Sequence, residues 1–119
     1  MEIALPFYGI SCQSLAMLVI GTDVVEGYFA ARSGHKGIKA ARAQYDAWLA
    51  IAQAADWRTA ADIKRSHPKA SILKSGRVVF NIKANDFRLI ALVHYRSEIL
   101  AIRFFGSHKE YDEIDAETV

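Results

Sequence analysis

At 119 residues the chain is the length of one domain, enough to bury a single core without a metal or disulfide staple. Its composition, 52% hydrophobic and 24% charged, is that of a folded protein, with disorder expected only at the ends. The single cysteine, Cys12, excludes an internal disulfide framework and fits a reducing, cytoplasmic compartment. The net charge of +2 is unevenly spread: residues 58–109 carry eleven basic and three acidic side chains, and residues 110–119 carry five acidic and none basic. Such a basic block suits a polyanionic partner, nucleic acid foremost, although a solvated charged surface is its commoner explanation.

Residues 3–22 carry no charge, but Pro6, Gly9, Ser11, Gln13 and Ser14 interrupt the run. The only early charge is the acidic Glu2. Neither an export signal nor a membrane span is expected there. The run Met-Leu-Val-Ile-Gly at residues 17–21 reads as a short buried strand. Asp23 followed by Glu26 has capping-box spacing and predicts a helix to about Arg32, ended by Ser33 and Gly34. A second helix is predicted over residues 37–54, with Ile38, Ala41, Tyr45, Trp48, Leu49 and Ala52 on one face. Thr59 with Asp62 opens a third, short helix that Pro68 closes.

The second half reads as β-structure. Residues 71–73 form a weak strand and Ser75-Gly76 a turn. Residues 77–83 and 87–94 then make a hairpin around Ala84, Asn85 and Asp86, and a third strand spans residues 99–105 until Gly106 breaks it. Ser107 with Glu110 is a further capping box, placing residues 108–114 on a last helix. The predicted fold class is α+β: an N-terminal strand and two helices packed on an antiparallel sheet, with the other sheet face partly open.

Along the first hairpin strand Val78, Phe80 and Ile82 point to the core, which turns Arg77, Asn81 and Lys83 to the open face. Arg88 opens the next strand close to Lys83, and Arg103 interrupts an otherwise apolar third strand. His108 follows that strand, with Lys109 beside it and Tyr111 one helical turn on. Cleaving a phosphodiester by internal attack needs a group that takes the 2′-hydroxyl proton, one that neutralises the phosphate and one that protonates the leaving oxygen. Arginine suits the second task because its planar fork grips phosphate and stays charged. Histidine suits the first or third, and lysine does so where its surroundings depress its pKa. An aromatic ring such as Tyr111 can stack on a base. The candidate catalytic residues are therefore Lys83, Arg88, Arg103, His108 and Tyr111, and the candidate RNA-binding residues Arg77, Asn81 and Lys109. Each has a plainer reading: Arg77 as a solvated edge charge, Asn81 as a strand or turn hydrogen bonder, and Arg88 and Arg103 as partners of Glu98, Asp112 or Asp115. The four histidines show no metal-ligand spacing, so no metal or other cofactor is expected.

Several blocks in order carry a resemblance: residues 61–64 with Trp57 just before them, residues 70–73, residues 77–83, residues 87–90, and the run Ile-Arg-Phe-Phe-Gly-Ser-His-Lys-Glu-Tyr-Asp-Glu-Ile-Asp at residues 102–115. Together they resemble the HigB toxins of type II toxin–antitoxin systems, within the RelE-like superfamily. The resemblance covers roughly residues 17–119 and leaves residues 1–16 as an extension expected to be dispensable. It implies a RelE-like fold, cleavage of mRNA on translating ribosomes without a metal, and neutralisation by a HigA-like helix-turn-helix antitoxin. Active residues would lie on the open sheet face and at the last strand–helix junction, where Lys83, Arg88, Arg103, His108 and Tyr111 fall. Ala84 departs from the glycine that many members carry in the hairpin loop. An antitoxin would either cover the cationic face or dock on the helices through Tyr28, Tyr45 or their neighbours. The alternative function is a non-catalytic RNA- or ribosome-binding module of the same fold.

Overall fold

The computed structural model describes residues 16–119; the extension expected over residues 1–16 lies, apart from Ala16, outside the described residues. The chain runs β1 (Leu18–Ile20), α1 (Thr22–Ala31), α2 (Ile38–Ala54), α3 (Ala60–Ser66), β2 (Ser71–Ile72), β3 (Arg77–Ile82), β4 (Phe87–His94), β5 (Ile99–Ser107) and α4 (His108–Tyr111). One five-stranded sheet has the order β1-β5-β4-β3-β2. All its neighbours pair antiparallel except β1, which lies parallel to β5 with Leu18 opposite Ile99. This is the α+β, RelE-like architecture the sequence predicts.

The core lies between the helices and one sheet face. Phe29 of α1 and Tyr45 and Trp48 of α2 pack with Phe80, Leu89, Ile102 and Phe105. Trp57 stacks on Phe80 at 6.0 Å, which fixes the segment leading to α3.

Several local expectations need correction. β1 is an edge strand rather than a buried one, with Leu18 59% and Ile20 46% exposed. The Asp23/Glu26 box does not form: the N-cap is Gly21, two residues earlier, at φ +84° with no side-chain cap, and α1 begins at Thr22. A Cβ on Gly21 would sit 2.5 Å from the Ile102 carbonyl oxygen, so the close approach of this turn to β5 decides where the helix starts. The other two capping boxes form as predicted, but α4 is a single turn. Gly106 does not break β5; it pairs with Arg88, and the strand runs on to Ser107. Between Ile90 and Ala91 the ladder slips and leaves Arg103 as the unpaired residue of a β-bulge.

The outer sheet face is also less open than predicted. Arg77 Nε donates to the Val119 carbonyl oxygen at 2.9 Å, so residues 112–119 return from α4 toward the start of β3. Val79 and Ile90, which lie outside the main core cluster, are 3% and 0% exposed.

Candidate RNA-cleaving site

The site forms where the β3–β4 loop, β4 and α4 meet. The loop has four residues, 83–86, rather than three, so Lys83 belongs to the turn and not to the strand. Lys83 and Ala84 both take φ +54°, the left-handed region that glycine adopts without steric cost. The His108 amide donates to the Asp86 carbonyl at 2.9 Å and ties α4 to this loop.

Arg88 is the centre of the arrangement. It faces outward on β4 opposite Gly106, yet is only 9% exposed. Its guanidinium donates to the Asn85 carbonyl at 2.8 Å, the Phe87 carbonyl at 3.3 Å, the Asn85 Oδ1 at 3.3 Å and His108 Nδ1 at 2.9 Å. The Tyr111 ring lies 5.7 Å from it. Every one of these partners is neutral or unionised in its contact, and among the described residues no carboxylate pairs with Arg88. Burying a cation without a counter-charge is costly, and the cost is offset when an anionic ligand completes the site.

His108 is half exposed, with Nε2 3.5 Å from Asp112 Oδ2. Because Arg88 can only donate, Nδ1 accepts and the ring proton sits on Nε2, toward Asp112. Lys83 pairs with Asp86 at 2.9 Å and, with Lys36, Lys109 and His108, lines a cleft of about 530 Å³. Gly37, the N-cap of α2, borders the same cleft and has no side-chain cap, so the positive end of the helix dipole adds to its potential.

A second network sets the position of α4. Glu110 accepts from Tyr28 Oη at 2.7 Å, from Arg32 at 2.9 Å and from the Ser107 amide at 2.7 Å. Arg32 also lies 3.7 Å over the Tyr28 ring. Burial, then the hydrogen bond to Glu110, pushes the Tyr28 hydroxyl up to about 12. Burial alone would raise the Glu110 carboxyl, but the Ser107 and Tyr28 hydrogen bonds outweigh it and hold it below the usual carboxylate range. Tyr45 is fully buried and so cannot itself offer a docking contact, while Tyr28 is part-buried with its hydroxyl held by Glu110.

Of the sequence candidates, the structure brings together Arg88, His108 and Tyr111, with Lys83 and Lys109 on the adjoining cleft. Arg103 is exposed and has no ion pair or side-chain hydrogen bond among the described residues. It stands three residues before Gly106 on β5, about 10 Å along the strand from the Arg88–Gly106 pair. Neither Arg88 nor Arg103 forms the structural bridge that was its plainer reading. Arg77 holds the returning chain instead of facing a free surface, while Asn81 sits directly opposite Arg88 in the ladder. Lys36, Tyr28 and Arg32 were missed: nothing local in the sequence brings residues of the first helices to the end of β5.

Helices on one face of a mixed sheet, with a cationic cluster at the final strand–helix junction, define the class of the RelE-like toxins. A family model described as HigB_toxin, RelE-like toxic component of a toxin-antitoxin system, matches residues 41–114, more than half of the chain. The chain belongs to this family, and is the toxin of a toxin–antitoxin system whose partner is an antitoxin. No curated protein compared with it matches. Among the described residues, no helix is long and apolar enough to cross a membrane.

Proposed function

We propose that the protein is an endoribonuclease that inhibits translation by cleaving mRNA on the ribosome, and that a HigA-like helix-turn-helix antitoxin restrains it. The observation that carries this reading is Arg88, a cation 9% exposed whose hydrogen-bond partners are all neutral and which lies beside a histidine. A phosphate supplies the missing negative charge. As it takes the guanidinium, His108 Nδ1 is released from Arg88 and becomes a free acceptor for the 2′-hydroxyl proton. Asp112, near Nε2, stabilises the imidazolium that forms. The 2′ oxygen then bonds to phosphorus and the bond to the 5′ oxygen breaks. The departing oxygen takes its proton from an ammonium of the cleft, Lys83 or Lys109. The products are a 2′,3′-cyclic phosphate and a 5′-hydroxyl. Tyr111 stacks on a base next to the scissile phosphate, Arg103 and Lys36 hold the flanking backbone, and none of these groups requires a metal.

The test is cleavage of RNA, free or on ribosomes, in excess chelator. The expected result is cyclic-phosphate ends, a block by a 2′-deoxy sugar at the scissile nucleotide, and loss of activity in His108→Ala. Activity that vanishes with chelator and returns with magnesium, while the ribosomes remain intact, overturns the mechanism. Tight RNA binding with no cleavage leaves a binding module instead.

A further inference from the structure

Behind the Arg88 cluster lies a recess that the reading above does not use. It has a volume of about 480 Å³, within the ~300–1,000 Å³ range of small-molecule sites. Phe80 and Pro68 give it apolar walls, and Asn81, Asn85, His67 and Lys69 supply its polar lining.

The recess exists because β2 is too short. The Leu73 amide donates to the Arg77 carbonyl at 2.9 Å, while the Gly76 carbonyl accepts from Val93 on the other side at 3.0 Å. Backbone groups alternate along a strand, so those of residues 77, 79 and 81 face the β2 side. β2 covers only Val78 and Val79. Before it, the chain curls away, with the Ala70 amide on the His67 carbonyl and Lys64 Nζ holding the Pro68 and Ala70 carbonyls. Asn81 is left with backbone N–H, backbone C=O and side-chain amide all lacking a partner among the described residues.

An adjacent donor and acceptor beside the exposed Pro68 ring match the edge and apolar face of one nucleobase. His67 completes the fit. Its ring stands edge-on to Trp57 and Phe80 at 5.6 and 5.2 Å, and burial lowers its pKa, so a neutral imidazole lines the site at neutral pH. Ser66 Oγ lies 3.0 Å from Nδ1, and Nε2 makes no hydrogen bond among the described residues. The open edge is a single residue long, since Lys83 turns away at once, which is too short for an added peptide strand. The recess also shares Asn85 with Arg88, whose guanidinium binds both Asn85 oxygens.

We infer that this recess holds one unstacked nucleobase of the RNA, read by the Asn81 backbone and side chain and by His67, while Arg88 holds a neighbouring phosphate. The inference rests on the RNA-cleaving reading but fails separately from it. The test uses the intact protein and 2′-O-methyl RNA hexamers, which cannot be cleaved, in each base composition and with a single abasic site moved along the sequence. Proton–nitrogen NMR titration follows the Asn81 amide and the His67 ring. The expected result is a shift of both on binding, and a loss of about tenfold in affinity when one particular position is abasic. Because the change is made in the RNA, folding of a variant does not enter. Equal affinity for all abasic hexamers, an unmoved Asn81 amide or no binding of any hexamer overturns the inference. Parallel reactions with unmodified RNA separate the two readings: recess occupancy without cleavage refutes the nuclease alone, and cleavage without recess occupancy refutes the base site alone.

Discussion

Replacing Arg88 with methionine separates a residue kept for function from one kept for stability. Two of its hydrogen bonds are short, 2.8 Å to the Asn85 carbonyl and 2.9 Å to His108 Nδ1. Bonds from a charged donor contribute about 1.5–3 kcal/mol each, so losing both costs roughly 3–6 kcal/mol. Withdrawing a guanidinium from water without a carboxylate costs several kcal/mol, which the variant regains. The opposing effects leave a change within about 2 kcal/mol, or roughly 8 °C in melting temperature for a chain of this size. Cleavage should fall by about 10²- to 10³-fold, as for loss of one charge-stabilising donor. Inorganic phosphate supplies the missing counter-charge directly. At ten times its Kd it should stabilise the wild type by about 1.4 kcal/mol, roughly 5 °C, and leave Arg88→Met unmoved. Thermal unfolding of both proteins with and without phosphate, at matched ionic strength, measures this. Equal stabilisation of both proteins, or a loss of more than about 4 kcal/mol in the variant, would make Arg88 a structural residue and refute the reasoning.

Arg103→Ala should change stability by less than about 0.5 kcal/mol, since the side chain is exposed, yet reduce cleavage; an unaltered rate on the same RNA removes it from the site. Gly21→Ala combines a left-handed backbone with a 2.5 Å clash on the Ile102 carbonyl, and should cost about 2–5 kcal/mol by urea denaturation. The Glu110 carboxyl is depressed in the folded state, so its contribution is present above the ordinary carboxylate pKa and is lost as pH falls through its lower folded value. Glu110→Gln should therefore flatten the acid side of the stability profile and slow cleavage by loosening α4; an unchanged slope counts against the network. A chain starting at Met17 should keep its fold and activity, as circular dichroism and RNA cleavage would show, because Met17 is buried in the core and the Leu18 amide is bonded to the Glu98 carbonyl.

What the sequence could reveal was local. Thr59 with Asp62 and Ser107 with Glu110 announce helix starts within four residues, and both boxes form. The same spacing at Asp23 and Glu26 misleads, because the approach of Gly21 to β5 sets the helix start, and that contact joins residues far apart in the chain. The bulge at Arg103 was visible only as a charge in an apolar run; its cause, a slipped register against β4, is tertiary. Arg88, His108 and Tyr111 were legible because their chemistry is concentrated around one strand and the junction after it. The clamp of Tyr28 and Arg32 on Glu110 was not, and neither was the recess beside Asn81, which depends on where β2 happens to stop.

The parallel pairing of β1 with β5 bears on how the molecule is made. Leu18 finds its partner only at Ile99, and Tyr28 reaches Glu110 across 82 residues of chain. Contacts of such long range slow folding, because the intervening loop must close before they form. During synthesis the helices can collapse early, but the sheet edge stays unpaired and α4 unanchored until the final strand has left the ribosome. Arg88 is translated twenty residues before His108 and meets it only then. A nascent chain on its way out therefore lacks an assembled site.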